Sequence, residues 1–327
     1  MEIKQDAAEF YSALMDDMKA ARHSIHLQYF IWAVDSFTEN FKDILMAKAK
    51  EGVEVRLLYD PVGSQAKMRR AYVRKMREAG ISMAPTSPLY RLHTISYRNH
   101  RKITVIDGII GYTGGMNIGK EHLDGGEGFT SWRDTQVRIV GEGAAVLQAV
   151  FMVDWYNAVR ENLFSAEYFP TDTSDIGDAI SSHGPGDDDV PVQILTSGPD
   201  SQWAAIRQLY SFLIVGAQRH VFMQSLYFIL DASIAEALIS AALSGADVKV
   251  RRRHCPQRGP TAVAQPSPAG WDLNHTVRKA GRAHHNLAAR AHPAALPQSS
   301  GSIRIEAARW RTVYCGANAS VSLKKCL

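Results

Sequence analysis

His100, Lys102 and Asp107 stand at H-x-K-x4-D spacing in "YRNHRKITVIDGIIGYTGGMN", and Gly114, Gly115 and Asn117 close the run. A neutral imidazole and an ammonium suit a phosphate ester: one attacks phosphorus or protonates a leaving group, and the other holds phosphoryl oxygens. Glycines let backbone approach a ligand closely, and an asparagine amide donates to an oxygen. In a chain with 12 histidines the first three residues could recur by chance, but two glycines and an asparagine at fixed offsets make the full string specific. The plain alternative is a strand with a solvated basic edge and ordinary turn glycines.

Such residues need elements to aim them. Ile103, Val105 and Ile106, then Ile109, Ile110 and Tyr112, are β-branched or aromatic runs around Asp107-Gly108, which predicts a hairpin or a strand and bend. On a strand His100 and Lys102 leave the same face. Asp107, at the turn, fits a structural role as a local hydrogen bonder better than direct catalysis. His23, His26, His93 and His122 have no comparable constellation and read as structural or surface residues. "GEGAAV" from Gly141 lacks the third glycine of a dinucleotide fingerprint.

An internal repeat frames the motif. "ARHSIHLQYFIWAVD" (21–35) resembles "AQRHVFMQSLYFILD" (217–231), and "AKEGVEVRLL" answers "ALSGADVKVR" after a small length difference. Phe10, Leu14, Met18 and Ala21 fall at helical spacing, as do Phe37, Phe41, Leu45 and Lys48, while 25–31 and 53–57 read as strands. Helices alternating with strands predict a layered α/β fold in two copies. The turn- and acid-rich segment ending at Pro191 reads as the linker between them.

The net charge of +4 averages two unlike regions. Residues 1–250 hold 24 Lys plus Arg against 31 Asp plus Glu, net −7, and residues 251–327 hold 13 against 2, net +11. A −7 body argues against a specific nucleic-acid groove, whereas the tail can bind DNA or anionic lipid indiscriminately. Cys255, Cys315 and Cys326 lie in the tail without metal-ligand spacing, so neither a zinc site nor a disulfide framework is expected. No run approaches 18 apolar residues and the N-terminus shows no signal-peptide pattern, so the chain is not expected to span a membrane.

"YRNHRKITVIDG", "GYTGGMNIGKEHL" and "WRDTQVRIVG" resemble the HKD-motif region of the phospholipase D superfamily, and within it the bacterial cardiolipin synthases. The resemblance runs over about residues 3–250. It implies a duplicated phospholipase D-like αβα sandwich with mixed sheets, followed here by an irregular or disordered basic tail. It divides the chain into a first domain (1–165), a linker (166–191), the start of a second domain (192–250) and an unmatched tail (251–327). The implied catalytic residues are His100, Lys102 and Asp107, with Gly115 and Asn117 binding phosphate and Asp134 orienting the histidine. No metal or other cofactor is implied. The implied reaction converts two phosphatidylglycerols to cardiolipin and glycerol through a phosphohistidine, with a hydrolase, a nuclease or an inactive fragment as alternatives. The implied partners are phosphatidylglycerol and anionic membrane lipid at the cytoplasmic face, peripherally; a homodimer is compatible but not indicated.

The resemblance stops where a second motif is due. Past "ADVKV" the sequence turns to "RRRHCPQRGPTAVAQPSPAGW", and none of His254, His275, His284, His285 and His292 has a lysine two residues on. His292 stands near the expected spacing, and "CGAN" at 315–318 only faintly echoes the Gly-x-Asn turn. A shift of reading frame near codon 250 would change charge, cysteine content and repeat similarity together. The alternative is a natural basic, disordered tail on a degenerate relative.

Overall fold

The computed structural model describes residues 1–64, 68, 70–87, 98–125, 134–170, 192–198, 203–225, 231–252, 271–272, 301–307, 310–314 and 319–324. They fall in two compact units, Met1–Asp189 and Val190–Leu327. In the first, the strands are β1 (Glu2–Lys4), β2 (Ser24–Tyr29), β3 (Glu54–Tyr59), β4 (Ser82–Pro85), β5 (Ile103–Ile106), β6 (Ile110–Gly114) and β7 (Gln136–Val140). Helices α1 (Ala7–Ala20), α2 (Thr38–Lys50), α3 (Pro61–Ser64), α4 (Arg70–Glu78), α5 (Glu121–Asp124) and α6 (Glu142–Val159) connect and cover them. The sheet order is β1-β7-β6-β5-β2-β3-β4. Only the β2, β3, β4 run is parallel; the other pairings are antiparallel.

Alternation along β2 makes the layers. Ile25, Leu27 and Tyr29 enter the cluster built with Phe10, Leu14 and Met18 of α1 and Phe41 and Leu45 of α2. His26 and Gln28 leave the opposite face and meet α6, where Gln148 bonds the imidazole and Asp154 bonds the amide. Helices therefore cover both faces of a mixed sheet, the αβα arrangement expected. Each fully buried Phe or Leu in this core contributes roughly 1.5–3 kcal/mol. Asp6 starts α1 by accepting from the Ala8 and Glu9 amides, a cap whose loss costs about 1 kcal/mol.

The second unit repeats this plan. Its elements are β8 (Val192–Thr196), α7 (Ala205–Val215), β9 (His220–Ser225), α8 (Ala232–Leu243), β10 (Asp247–Arg252), β11 (Trp271–Asp272), β12 (Gly301–Ala307), β13 (Trp310–Tyr314) and β14 (Ala319–Lys324). Read from β8, the sheet order is β8-β14-β13-β12-β9-β10-β11, strand for strand the order of the first. The parallel β2–β3 pair has its counterpart in β9–β10, while β11 differs from β4 in running antiparallel to its neighbour.

Local chemistry repeats as well. Asp35 accepts from the Thr38 amide before α2, and Asp231 accepts from the Ile234 amide before α8. Gly52 and Gly245 both take positive φ, 93° and 97°, where the chain leaves the helix for β3 and β10. The tail differs from the irregular stretch expected, because β11 to β14 lie in it. "SIRIE" and "SVSLK" alternate apolar and polar residues over strand-length windows, a period-two signal that the region's high charge masks, whereas "WRTVY" carries only strand-favouring residue types.

Candidate active site

The motif meets the sheet at the start of β5, which lies antiparallel to β2. Side chains alternate there. Asn99 and Arg101 turn toward α6 and both bond the Asp154 carboxylate, Arg101 through Nη1 at 2.6 and 2.7 Å. Arg98, His100 and Lys102 share the other parity. Arg98 is tied to Asp60, a wholly buried carboxylate in the turn after β3, at 3.2 Å. Fastening alternate residues on both sides fixes the backbone from which His100 and Lys102 project.

Lys102 is 1 % exposed, and its Nζ reaches His100 Nδ1 at 2.7 Å and the His100 carbonyl at 2.8 Å. The Phe30 ring packs on the imidazole at 4.3 Å between centroids and lies 5.6 Å from Nζ. This apolar wall excludes water. Burial first, then the Lys102 charge, pulls His100 down to about 3, so the imidazole is neutral at neutral pH. Burial pulls Lys102 down to about 7 against the attraction of Asp134, so this ammonium is poised to lose its proton near neutrality. Burial raises the Asp134 carboxyl, opposed by its bond to the Thr135 amide and by Lys102.

The turn after β6 supplies the third group. Asn117 is held three ways: its Oδ1 accepts from the Ile31 amide, its N–H donates to His122 Nε2, and its carbonyl accepts from the Tyr11 hydroxyl at 2.6 Å. Its side-chain NH2 makes no hydrogen bond among the described residues and remains a donor for a ligand. Gly115 is required by packing, because a Cβ there would collide with the Asp134 carboxylate. At Gly114 a Cβ would strike Gln136 and the Thr135 carbonyl.

Asp107 sits apart from this group of side chains. With φ of 52° it turns the β5–β6 hairpin, and its carboxylate accepts from the amides of Arg22, His23 and Ser24 at 2.7–2.8 Å, pinning the hairpin to the start of β2. His26, buried and pulled down to about 4 mainly by burial, stacks on Phe151 under α6. His122 backs Asn117, and His93 lies outside the described residues. Sequence reasoning missed Phe30, Arg98, Asp60 and Asp154. Only Asp154 carried a signal, as a lone acid in the apolar run "LQAVFMVDWYNA".

Sequence comparison places these residues in a family. A profile described as "Cardiolipin synthase, PLD-like domain" matches residues 14–149, which include His100, Lys102, Asn117 and Asp134. The cardiolipin synthase of Alkalihalophilus pseudofirmus is 42 % identical over 248 residues, covering 75 % of this chain and 47 % of that protein. The chain belongs to the cardiolipin synthase family of the phospholipase D superfamily. The major cardiolipin synthase of Bacillus subtilis is 38 % identical over 253 residues, 76 % of this chain and 50 % of that one. The chain thus spans about half the length of the curated relatives it matches. In fold it is similar to the crystal structure of phosphatidylserine synthase from Haemophilus influenzae, with a TM-score of 0.63 at 14 % identity, covering 99 % of this chain and 82 % of that one.

Strand register locates the place of the absent second motif. In the first unit Gln28 pairs with Ile103, the residue after Lys102; in the second, its repeat partner Gln224 pairs with Ser302. Gly301 therefore holds the place of Lys102, and Ser299, two residues earlier in the sequence, corresponds to His100. His292, near the expected spacing by count, is passed over by the register.

Proposed function

We propose that this chain carries the phosphohistidine half-site of a phosphatidyltransferase that joins two phosphatidylglycerols into cardiolipin and glycerol. The observation that supports it best is the buried pair itself, a neutral imidazole held against a lysine ammonium that burial disfavours and Asp134 supports. Family membership supplies the lipid substrate.

In this reading Lys102 Nζ moves from His100 Nδ1 onto a phosphoryl oxygen as the diester enters, and the Asn117 NH2 donates to a second oxygen. An imidazole nitrogen bonds to phosphorus as the bond to the glycerol oxygen breaks, and that oxygen takes a proton from a general acid. The hydroxyl of a second phosphatidylglycerol then gives its proton to the conjugate base of that acid, attacks phosphorus, breaks the bond to His100 and yields cardiolipin. Asp134 acts through Lys102, favouring its charged form. The general acid must be a second group, and one motif supplies one histidine. Turnover by this chain is accordingly low, since losing a general acid costs at least ~10²-fold. No helix among the described residues is long and apolar enough to cross a membrane; we assign a peripheral position on the membrane that holds the substrate.

Vesicles carrying labelled phosphatidylglycerol test the reading. The expected products are cardiolipin and free glycerol, slowly formed and abolished in His100→Ala. Phosphatidic acid as sole product would make the chain a hydrolase, and plasmid cleavage without lipid turnover would make it a nuclease.

A further inference from the structure

Helix α4 breaks the charge pattern of its surroundings. Residues 1–165 are nearly balanced, 21 Lys plus Arg against 20 Asp plus Glu, yet α4 holds Arg70, Arg74, Lys75 and Arg77 against Glu78, net +3, and Lys67 and Arg69 precede it in sequence. The helix is firmly seated. Met76 is wholly buried, and Tyr72 and Val73 pack against the core of the first unit, so the cations are forced to the opposite, exposed face. Arg70 and Lys75 make no ion pair among the described residues, Arg74 lies 3.6 Å from Glu78, and Arg77 donates to the Met83 carbonyl.

Beside this face runs a groove of roughly 560 Å³ lined by Tyr59, Met68 and Val73 on its apolar side and by Arg70, Arg74 and Arg77, with the single carboxylate of Glu78, on its charged side. None of His100, Lys102 and Asn117 lines it. Guanidinium groups pair with phosphate oxygens in a fork, and the apolar side suits the glycerol and upper acyl carbons that follow a lipid phosphate. A nucleic acid would meet the same charges, but no exposed aromatic platform for stacking bases lies on the helix.

We propose that α4 and this groove are a docking surface for anionic membrane phospholipid, which holds the first unit on the bilayer apart from the catalytic pair. The proposal rests on the phosphatidyltransferase reading for its choice of a membrane over other polyanions. A domain of nearly balanced charge with its cations gathered on one helix face orients on an anionic surface with that face inward.

The test uses the full chain, because the basic tail also attracts anionic lipid. Vesicles of equal phosphatidylglycerol and phosphatidylcholine should slow amide hydrogen exchange in residues 70–78, and pure phosphatidylcholine should not. R70E/R74E should weaken vesicle binding at least ~10-fold and remove that protection, with R70Q/R74Q showing a smaller loss in the same direction. R278E/K279E, the same charge change in the tail, should leave protection at α4 intact. Equal losses from the two reversals, unprotected α4 amides, or equal protection by plasmid DNA would overturn the proposal. Turnover of monomeric short-chain phosphatidylglycerol is measured separately and should be untouched by R70E/R74E. Its absence in the unaltered chain, with α4 still protected by vesicles, would remove the catalytic reading and leave the docking surface standing.

Discussion

Lys102 carries a conflict between stability and function. Its ammonium is buried against an aromatic ring and an imidazole, and burial pulls it from 10.5 to about 7. Between those values the unfolded chain holds the extra proton, so this lysine's contribution to stability rises with pH across that window. Activity should move the other way. In the proposed reaction the charged form binds phosphate, so kcat/KM, which reports the free enzyme, is expected to fall as pH rises through about 7, whereas kcat, which reports the complex, should hold to higher pH. A flat kcat/KM from pH 6 to 9 would remove Lys102 from phosphate binding. Lys102→Met should abolish activity and raise stability by roughly 1–4 kcal/mol, as replacing buried charge with apolar bulk does; denaturant melts at pH 7 check the sign. The pair was legible in the sequence because two residues of fixed spacing on a strand must share a face. Its surroundings were not: Phe30 and Asp60 reach the site from just past the ends of β2 and β3, distant in sequence, and nothing local marks them.

At the scale of elements, the third letter of the motif is an anchor. Three backbone donors at the start of β2 converge on one Asp107 carboxylate, and the same residue supplies the left-handed turn of the hairpin. Asp107→Ala loses the acceptors and strains the turn; Asp107→Asn keeps one acceptor and tolerates the conformation. Chemical unfolding should show about 3 kcal/mol lost for the alanine and roughly half that for the asparagine, with kcat per folded molecule little changed in either. A large loss of kcat in a fully folded Asp107→Asn protein would instead place the carboxylate in the chemistry. The turn role was readable from Asp-Gly between two β-branched runs. The partner strand was not, because Arg22, His23 and Ser24 contribute only amides, and amides leave no mark in a sequence.

For the molecule as a whole, topology and sequence part company at Val250. The second sheet follows the strand order of the first to its far edge, and Asp231 and Gly245 repeat the roles of Asp35 and Gly52. The repeat was legible up to β10 because the residues that cap, turn and pack there are shared. Beyond it, strands β12 and β14 keep only an apolar and polar alternation, and the register puts Gly301 where the first unit has Lys102. A glycine brings no side-chain cation to a phosphoryl oxygen and no side-chain proton to a leaving group. Drift in a degenerate relative would leave scattered substitutions, whereas a changed reading frame replaces every side chain at once and brings in the charge and cysteine shift at a single boundary. We propose the frame change, and the gene decides it. Translating its other two frames past codon 250 should reveal H-x-K-x4-D with the histidine close to codon 299, the position set by strand register. Restoring that frame should raise phosphatidylglycerol transfer at least ~10²-fold, the usual contribution of a general acid. If neither frame encodes the motif within about ten codons of that position, the frame reading fails and the tail is native. Brisk transfer by the chain as it stands would show that the second proton donor comes from elsewhere in this sequence.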